Sequence, residues 1–144
     1  VLVAVDFSPV TQATLAAVRR AWPADQLTIV VLHVAEPDPA FVGWDTGPEA
    51  VRDQVASKLR REKQQVEALA AGLRQEGIDA IGLAVQGPIV QTILSEAARV
   101  RADLIAIGSH GHGAAYDLAV GSISAGVIRA ATLPVLVTPD SARA

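Results

Sequence analysis

The amino-acid sequence predicts an α/β fold in which helices cover both faces of a parallel five-stranded sheet. Short unbroken apolar runs, such as residues 104–107, are typical of strands that are buried on both faces of such a sheet. Segments with the spacing of amphipathic helices separate these runs along the chain. The composition is 51% hydrophobic but only 3% aromatic, which indicates an aliphatic core. With 144 residues, the chain is expected to form a single domain over residues 1–144.

The first strand is predicted over residues 1–5, where apolar residues are continuous. The turn after it is typical of a helix start, because Ser8 suits the N-cap and Pro9 suits the first helical position. A helix is expected over residues 11–21, and the β-branched run over residues 27–35 predicts the second strand. His33 lies inside that run, so we interpret it as a hydrogen-bonded core or strand-end histidine rather than a catalytic base.

A long charged helix is predicted over residues 49–75, after a loop rich in proline and glycine. Gly77 is placed to end this helix as a C-cap glycine. The helical spacing predicts a buried stripe that consists of Val51, Val55, Leu59, Val66, Leu69 and Leu73. The opposite, solvent-facing side is expected to carry the charged residues Arg60, Arg61, Glu62 and Lys63.

The second half of the chain continues the alternation of strands and helices. Strands are predicted over residues 78–86, 104–107 and 135–137, and a helix over residues 89–101. Another helix opens at Gly121 and ends before Pro134. Its spacing is expected to place Ile123, Val127, Ile128 and Ala131 on one buried face. The order of elements implies parallel strands joined by right-handed crossovers.

The loop between the fourth strand and the last helix is the main candidate for a binding site. Gly108 ends the strand, Gly111 and Gly113 lie in the loop, and Gly121-Ser122 opens the helix. Glycines let backbone N–H groups approach an anion, and a helix N-terminus adds unpaired donors and its dipole. In the alternative interpretation, Gly108 only ends a strand and Ser122 only caps a helix. The loop is neither a P-loop nor a Rossmann dinucleotide loop, because G-x4-G-K-[ST] is absent and the glycines follow the fourth strand.

These glycines also carry a family resemblance. Gly108, Gly111, Gly121 and Ser122 fit G-x2-G-x9-G-[ST], and this pattern resembles the nucleotide-binding signature of the universal stress protein family. The opening segment VLVAVDFSPVTQATLAAV resembles the first strand, acidic residue and first helix of the same family. The resemblance implies an open, doubly wound sheet of order 3-2-1-4-5, of the adenine nucleotide alpha hydrolase-like (Rossmann-like) type. In that order the first and fourth strands are neighbours, and ligands bind at such a switch point.

The resemblance also implies a set of nucleotide-binding residues: Ala4, Asp6, Ser8, Val34, Gly108, His110, Gly111, Gly121, Ser122, Ile123 and Ser124. Asp6 would line the nucleoside pocket, and the main chain around Val34 would bind adenine. The implied ligand is ATP, whose phosphates can carry Mg²⁺. Taken without the resemblance, Asp6 is equally well explained as a turn residue that caps the first helix, and Val34 as a core strand residue.

Two histidines distinguish this loop from the commonest form of the family. His110 and His112 stand where related proteins often have arginines that face the phosphates. Because histidine gains its charge only as the pH falls, nucleotide affinity is expected to be weaker at pH 8 than at pH 6. In the alternative, both are exposed loop histidines without a role. His110, His112 and Asp117 are too irregularly spaced to predict a metal site held by the protein.

The sequence therefore favours an ATP-binding protein with a nucleotide-dependent role in the stress response. The alternatives are a slow ATPase or nucleotide-transferring enzyme that uses the same pocket, and an interaction module that binds no nucleotide. No catalytic residues are predicted, since no nucleophile elbow or water-positioning arrangement is present. A homodimer is expected through the uncharged fifth strand at Val135, Leu136 and Val137, unless residues 140–144 shield that edge.

Composition bounds the remaining partners. The net charge of −3 argues against a nucleic-acid-binding surface, which needs a concentrated basic patch. No apolar run reaches the ~20 residues that a membrane span requires. The absence of cysteine excludes disulfides and thiolate metal sites. A cytoplasmic location is therefore the expectation.

Overall fold

The computed structural model of the protein describes residues 1–36, 49–109 and 121–139, and it describes only the backbone of residues 49–55. The described strands are β1 (Leu2–Ala4), β2 (Thr28–Ala35), β3 (Asp79–Gln86), β4 (Ile105–Gly108) and β5 (Val135–Thr138). The helices are α1 (Pro9–Ala21), α2 (Glu49–Gln75), α3 (Ile89–Arg99) and α4 (Ser122–Ala130), with a 3-10 turn over Ala24–Gln26. These elements follow the predicted order along the chain.

The five strands form one sheet in the order β3-β2-β1-β4-β5, which confirms the predicted topology. Every neighbouring pair is parallel, and Leu2 at the start of β1 lies opposite Val30 of β2 and Ile105 of β4. The carboxyl ends of all five strands therefore meet at one edge of the sheet. Connections from β1 and β4 leave this edge toward opposite faces, so the switch point lies between these two strands.

Two apolar layers hold the helices against the sheet. On one face, α1 and α2 cover the side chains that alternate inward along the central strands, including Val3, Ile29 and Val31. On the other face, α3 and α4 cover the complementary set, including Leu2, Leu32 and Ile105. The six named strand residues are fully buried, so both faces of the central strands are covered, as their unbroken apolar runs predict.

The end of α2 shows how local sequence sets an element boundary. Gly77 has a φ of 83°, a left-handed conformation that glycine adopts without a Cβ clash. The N–H of Gly77 donates to the Arg74 carbonyl at 3.0 Å, and the N–H of Ile78 donates to the Leu73 carbonyl at 3.1 Å. This pair of bonds is a Schellman motif, and it confirms the predicted C-cap glycine.

Two predicted helix faces are wrong at one residue each. Glu62 was expected on the solvent side of α2, but its side chain is only 12% exposed and faces β2. It lies three residues after Leu59 and four before Val66, so the helical spacing places it on the buried stripe despite its charge. Ile128 was expected on the buried face of α4, yet it is 46% exposed. It directly follows the fully buried Val127, and one residue turns a helix by about 100°.

Candidate functional site

The turn after β1 places a carboxylate at the switch point. Asp6 Oδ1 accepts a hydrogen bond from the Ser8 N–H at 3.0 Å and one from the Thr11 hydroxyl at 3.5 Å. Asp6 therefore acts as the turn and helix-start residue that its sequence position allows. Phe7, between Asp6 and Ser8, has a φ of 62°. A left-handed conformation at a bulky residue is strained, and such strain is typical of functional turns.

The turn after β4 is fixed by hydrogen bonds that converge on Ser109. The Ser109 carbonyl accepts from the Gly121 N–H at 2.7 Å and from the Ser124 hydroxyl at 2.8 Å. The Ser109 N–H donates to the Thr138 carbonyl of β5 at 2.7 Å. These bonds place the first residues of α4 directly beside the carboxyl ends of β4 and β5. The start of the helix is thus built into the same edge of the sheet as Asp6.

The start of α4 presents backbone donors that no side chain of the described residues caps. Gly121 is the N-cap residue, and within residues 1–36, 49–109 and 121–139 no side-chain hydrogen bond caps the helix. The first bond of the helical pattern runs from the Ala125 N–H to the Gly121 carbonyl at 2.9 Å, so the N–H groups of Ser122, Ile123 and Ser124 precede it. Ser122 is the first helical residue and is exposed, which rules out its alternative interpretation as the cap. Uncapped donors at a helix N-terminus are suited to an anion.

Two buried hydroxyls at this edge have no hydrogen-bond partner in the part of the chain that the structure describes. Ser8 Oγ lies at the N-cap of α1, where no side-chain cap bond forms, and Ser8 is 7% exposed. Thr138 Oγ1 lies at the end of β5, opposite Gly108, and Thr138 is 8% exposed. A buried hydroxyl without a partner costs free energy. Such groups at a switch point indicate a place where a polar ligand can supply the missing partner.

On the β2 side of the edge, a buried valine and a histidine lie next to each other. Val34 is 8% exposed and belongs to the core on the α3 and α4 face. His33 Nδ1 lies 2.9 Å from the Val5 carbonyl, and its Nε2 lies 3.8 Å from Glu62 Oε1. Both ring nitrogens thus have a neighbour, which confirms that His33 is a hydrogen-bonded strand histidine.

The structure brings most of the predicted site residues to one edge of the sheet: Ala4, Asp6, Ser8, Val34, Gly108, Gly121, Ser122, Ile123 and Ser124. His110 and Gly111, and likewise His112, Gly113 and Asp117, lie outside the described residues. Ser124 is 3% exposed, and its hydroxyl already donates to the Ser109 carbonyl. The hydroxyl proton of Ser124 is therefore already used within the protein.

Sequence reasoning missed three residues at this edge: Ser109, Thr138 and Glu62. Ser109 follows Gly108 directly, so its position at a strand end was available from the sequence. The spacing of Glu62 on the buried stripe of α2 was also available, but its charge suggested solvent. The unpartnered state of the Thr138 hydroxyl depends on tertiary packing and has no signal in the sequence.

Among residues 1–36, 49–109 and 121–139, no group of three or more histidine, cysteine or acidic residues is placed to hold a metal ion. In the same ranges, no helix is both long and apolar enough to cross a membrane. The described polar groups of this edge include the Asp6 carboxylate, the N–H donors at the start of α4 and the hydroxyls of Ser8 and Thr138. This set can bind a ligand that has an anionic end and a hydrogen-bonding end.

The fold and this edge define a doubly wound, Rossmann-like α/β protein with a candidate ligand site at the β1/β4 switch point. A model of the universal stress protein family matches residues 1–139, and the chain belongs to that family. A universal stress protein of Thermus aquaticus, from the QAH/OAS sulfhydrylase 3′ region, is 34% identical over 137 residues, covering 94% of this chain and 95% of the relative.

Solved structures show the same fold at lower identity. Universal stress protein UspA from Lactobacillus plantarum is 21% identical, with a TM-score of 0.76 over 94% of each chain. A universal stress protein family protein from Arabidopsis thaliana, solved with AMP bound, is 20% identical, with a TM-score of 0.67 over 99% of this chain and 92% of the other.

Proposed function

We propose that this protein binds an adenine nucleotide at the carboxyl edge of β1 and β4, with ATP as its ligand, and that occupancy serves a regulatory role in the stress response. The observation that carries this proposal is the uncapped start of α4, which Ser109 fixes beside the switch point. The AMP bound to the Arabidopsis relative supports an adenine nucleotide as the class of ligand.

The residues of the edge fit the parts of a nucleotide. Phosphate oxygens are acceptors and match the N–H groups of Ser122, Ile123 and Ser124. The ribose and adenine carry donors, and these match the Asp6 carboxylate on the β1 side. The Ser8 hydroxyl has no hydrogen-bond partner among the described residues, and Ser8 lies in the chain between Asp6 and the start of α4. It could bond the nucleoside or the phosphates. Mg²⁺ would bind through the phosphate oxygens and water, as is usual for this ion.

The experiment is identification of the nucleotide that co-purifies with the protein, followed by titration with Mg-ATP, AMP and adenosine. Gly121→Val should abolish or strongly weaken ATP binding, because a branched side chain at the N-cap obstructs approach to the helix donors. Gly72→Val is the matched control, since a Cβ at Gly72 meets nothing within 4 Å and the residue lies in the remote half of α2. Absence of co-purified nucleotide together with absence of binding would leave the family's interaction modules as the better description.

Phosphate release measured in the same samples separates binding from hydrolysis. Turnover that disappears with Gly121→Val and survives with Gly72→Val would show that the site is a slow ATPase. Binding without turnover supports the regulatory role.

We also propose that the protein forms a homodimer through β5. Val135, Leu136 and Val137 are half-buried at the edge of the sheet, and no other described strand pairs with the outer side of β5, so a second copy of the strand can add there. The opposite edge strand, β3, is also uncharged between Asp79 and Gln86, so sedimentation velocity should be run on variants of both edges. A dimer that resists Val137→Lys and dissociates with Ile81→Lys would place the interface at β3 instead. Ile81 is exposed, so that substitution leaves the core intact.

A further inference from the structure

The imidazole of His33 contacts both chain neighbours of Asp6. Its Nδ1 lies 2.9 Å from the carbonyl oxygen of Val5. Because a carbonyl oxygen only accepts hydrogen bonds, Nδ1 carries a proton and donates it. The ring of His33 also lies against the ring of Phe7, with centroids 4.5 Å apart. One side chain thus holds the residue before Asp6 and the residue after it.

The contact with Phe7 matters because the backbone there is strained. Phe7 has a φ of 62°, and a strained conformation persists only where the surrounding structure stabilises it. Phe7 packs against the core on the α1 and α2 face, and the His33 ring supports it from β2. The orientation of Asp6 therefore depends on contacts made by His33.

The carboxylate of Glu62, in α2, lies beside the other ring nitrogen of His33. Its Oε1 lies 3.8 Å from His33 Nε2, and both side chains are 12% exposed. Lys58 Nζ lies 3.9 Å from the same oxygen but is 69% exposed, so it reaches Glu62 from the solvent side. At 3.8 Å the contact between Glu62 and His33 is longer than a hydrogen bond, and Nε2 of a neutral ring that is protonated at Nδ1 has no proton to donate. Glu62 therefore attracts the ring only as an ion pair, when Nε2 is protonated as well.

We propose that His33 is a positioning residue for the nucleoside end of the site. This inference rests on the proposed nucleotide binding, since it assigns a residue that determines the affinity of that same site. His33 itself makes no contact with the ligand in this proposal. It acts by holding Val5 and Phe7, and so Asp6, while the neighbouring Val34 remains in place on β2.

Loss of His33 should change the affinities of different ligands in a pattern that differs from the pattern caused by a change at the phosphate end. Loss of His33 should weaken adenosine, AMP and ATP by the same factor, because all three share the nucleoside. Gly121→Val should weaken ATP far more than adenosine, because it acts on the donors of α4. We expect His33→Leu to raise the Kd of each ligand by roughly five- to tenfold, the loss that corresponds to about one hydrogen bond.

His33→Asn is the conservative variant. Its amide nitrogen is attached to Cγ, as Nδ1 is, and can donate to the Val5 carbonyl, so affinity should recover to within roughly threefold of the wild type. Glu62→Ala should change the Kd only through His33, so the double variant His33→Leu/Glu62→Ala should bind no worse than His33→Leu alone. That equality is expected only if Glu62 acts through His33.

Two controls separate positioning from general loss of stability. Glu67→Ala removes another carboxylate of α2, one that pairs with Arg74 and is exposed, and it should leave affinity unchanged. Val66→Ala truncates a side chain in the core that α2 shares with the sheet and should lower stability without changing the Kd. Unchanged affinity in His33→Leu, or an equal loss in Val66→Ala, would overturn the proposal.

NMR of the imidazole nitrogens tests the local arrangement without a ligand. Neutral His33 should show the tautomer with the proton on Nδ1, and His33→Leu should shift the amide resonances of Asp6 and Phe7. The opposite tautomer would overturn the proposal even if nucleotide binds. The wild type could instead show the expected tautomer but bind neither adenosine nor AMP nor ATP. That result would refute the nucleotide function and, with it, the role assigned to His33.

Discussion

The same substitution, serine to alanine, should have opposite effects on stability at two buried helix starts. Ser8 is the N-cap of α1, but its hydroxyl has no hydrogen-bond partner among the described residues. Ser124, in the first turn of α4, donates its hydroxyl to the Ser109 carbonyl at 2.8 Å. The two serines are 7% and 3% exposed, so loss of an oxygen atom removes similar buried volume from each.

The magnitudes follow from the hydrogen bonds. A buried polar group without a partner costs about 1–3 kcal/mol, and alanine at an N-cap is unfavourable only where it removes a capping bond. Since Ser8 makes no such bond, Ser8→Ala should raise the free energy of unfolding by about 1 kcal/mol. Ser124→Ala removes its bond to the Ser109 carbonyl, so it should lower that free energy by about 1–2 kcal/mol.

The assay is urea unfolding of the two variants and the wild type without nucleotide, compared at a common m-value. The two midpoints should fall on opposite sides of the wild-type midpoint. Under the proposed function, Ser8→Ala should also gain less stabilisation from saturating ATP, because the hydroxyl that the ligand would bond is gone. A destabilised Ser8→Ala would show that its hydroxyl has a partner, and the interpretation of this edge as an incomplete polar site would be wrong.

Further outcomes are expected at two glycines, at Arg101 and for the pH dependence of ATP binding. Gly82→Ala should destabilise the protein by about 1–3 kcal/mol, because a Cβ there would lie 2.9 Å from α2 backbone atoms. A Cβ at Gly72 would meet nothing within 4 Å, so Gly72→Ala should instead stabilise the protein by about 0.5–1 kcal/mol. Thermal unfolding of the two glycine variants tests both predictions. Arg101→Gly should stabilise by about 0.5–1 kcal/mol in the same assay, since φ is 52° there; an equal or lower midpoint would contradict this. Calorimetric titration should show weaker ATP binding at pH 8 than at pH 6, and replacement of His110 and His112 by glutamine should remove the difference.

The sheet order and most of its elements could be predicted because they depend on local patterns. Unbroken apolar runs identify buried strands, and Gly77 identifies the end of α2 through a conformation that favours glycine. The resemblance supplied the strand order that places Asp6 near Gly121. These predictions needed no knowledge of individual side-chain contacts.

The contacts within the site were not predictable in the same way. In the sequence, His33 has the pattern of an ordinary strand residue. Its role depends on Val5 and Phe7, which contact it only in the tertiary fold. Glu62 lies at a buried spacing, but a sequence pattern gives no reason to bury a carboxylate until its partner is known. The hydroxyl of Ser8 suits an N-cap bond by residue type, yet the Asp6 carboxylate accepts the backbone N–H of Ser8 instead.

The placement of charge at the switch point also determines how a nucleotide would lie there. The carboxylate of Asp6 is at the β1 side, and the uncapped donors of Ser122 and Ile123 are at the α4 side. A phosphate set beside Asp6 would bring like charges together, and two such charges about 4 Å apart repel by about 4 kcal/mol at a surface-like dielectric constant. The reverse orientation sets the phosphates on donors and the nucleoside donors on the carboxylate. Under the proposed function, the glycine spacing accounts for the anion end of the site, whereas Asp6 would fix the direction of the ligand across the sheet edge.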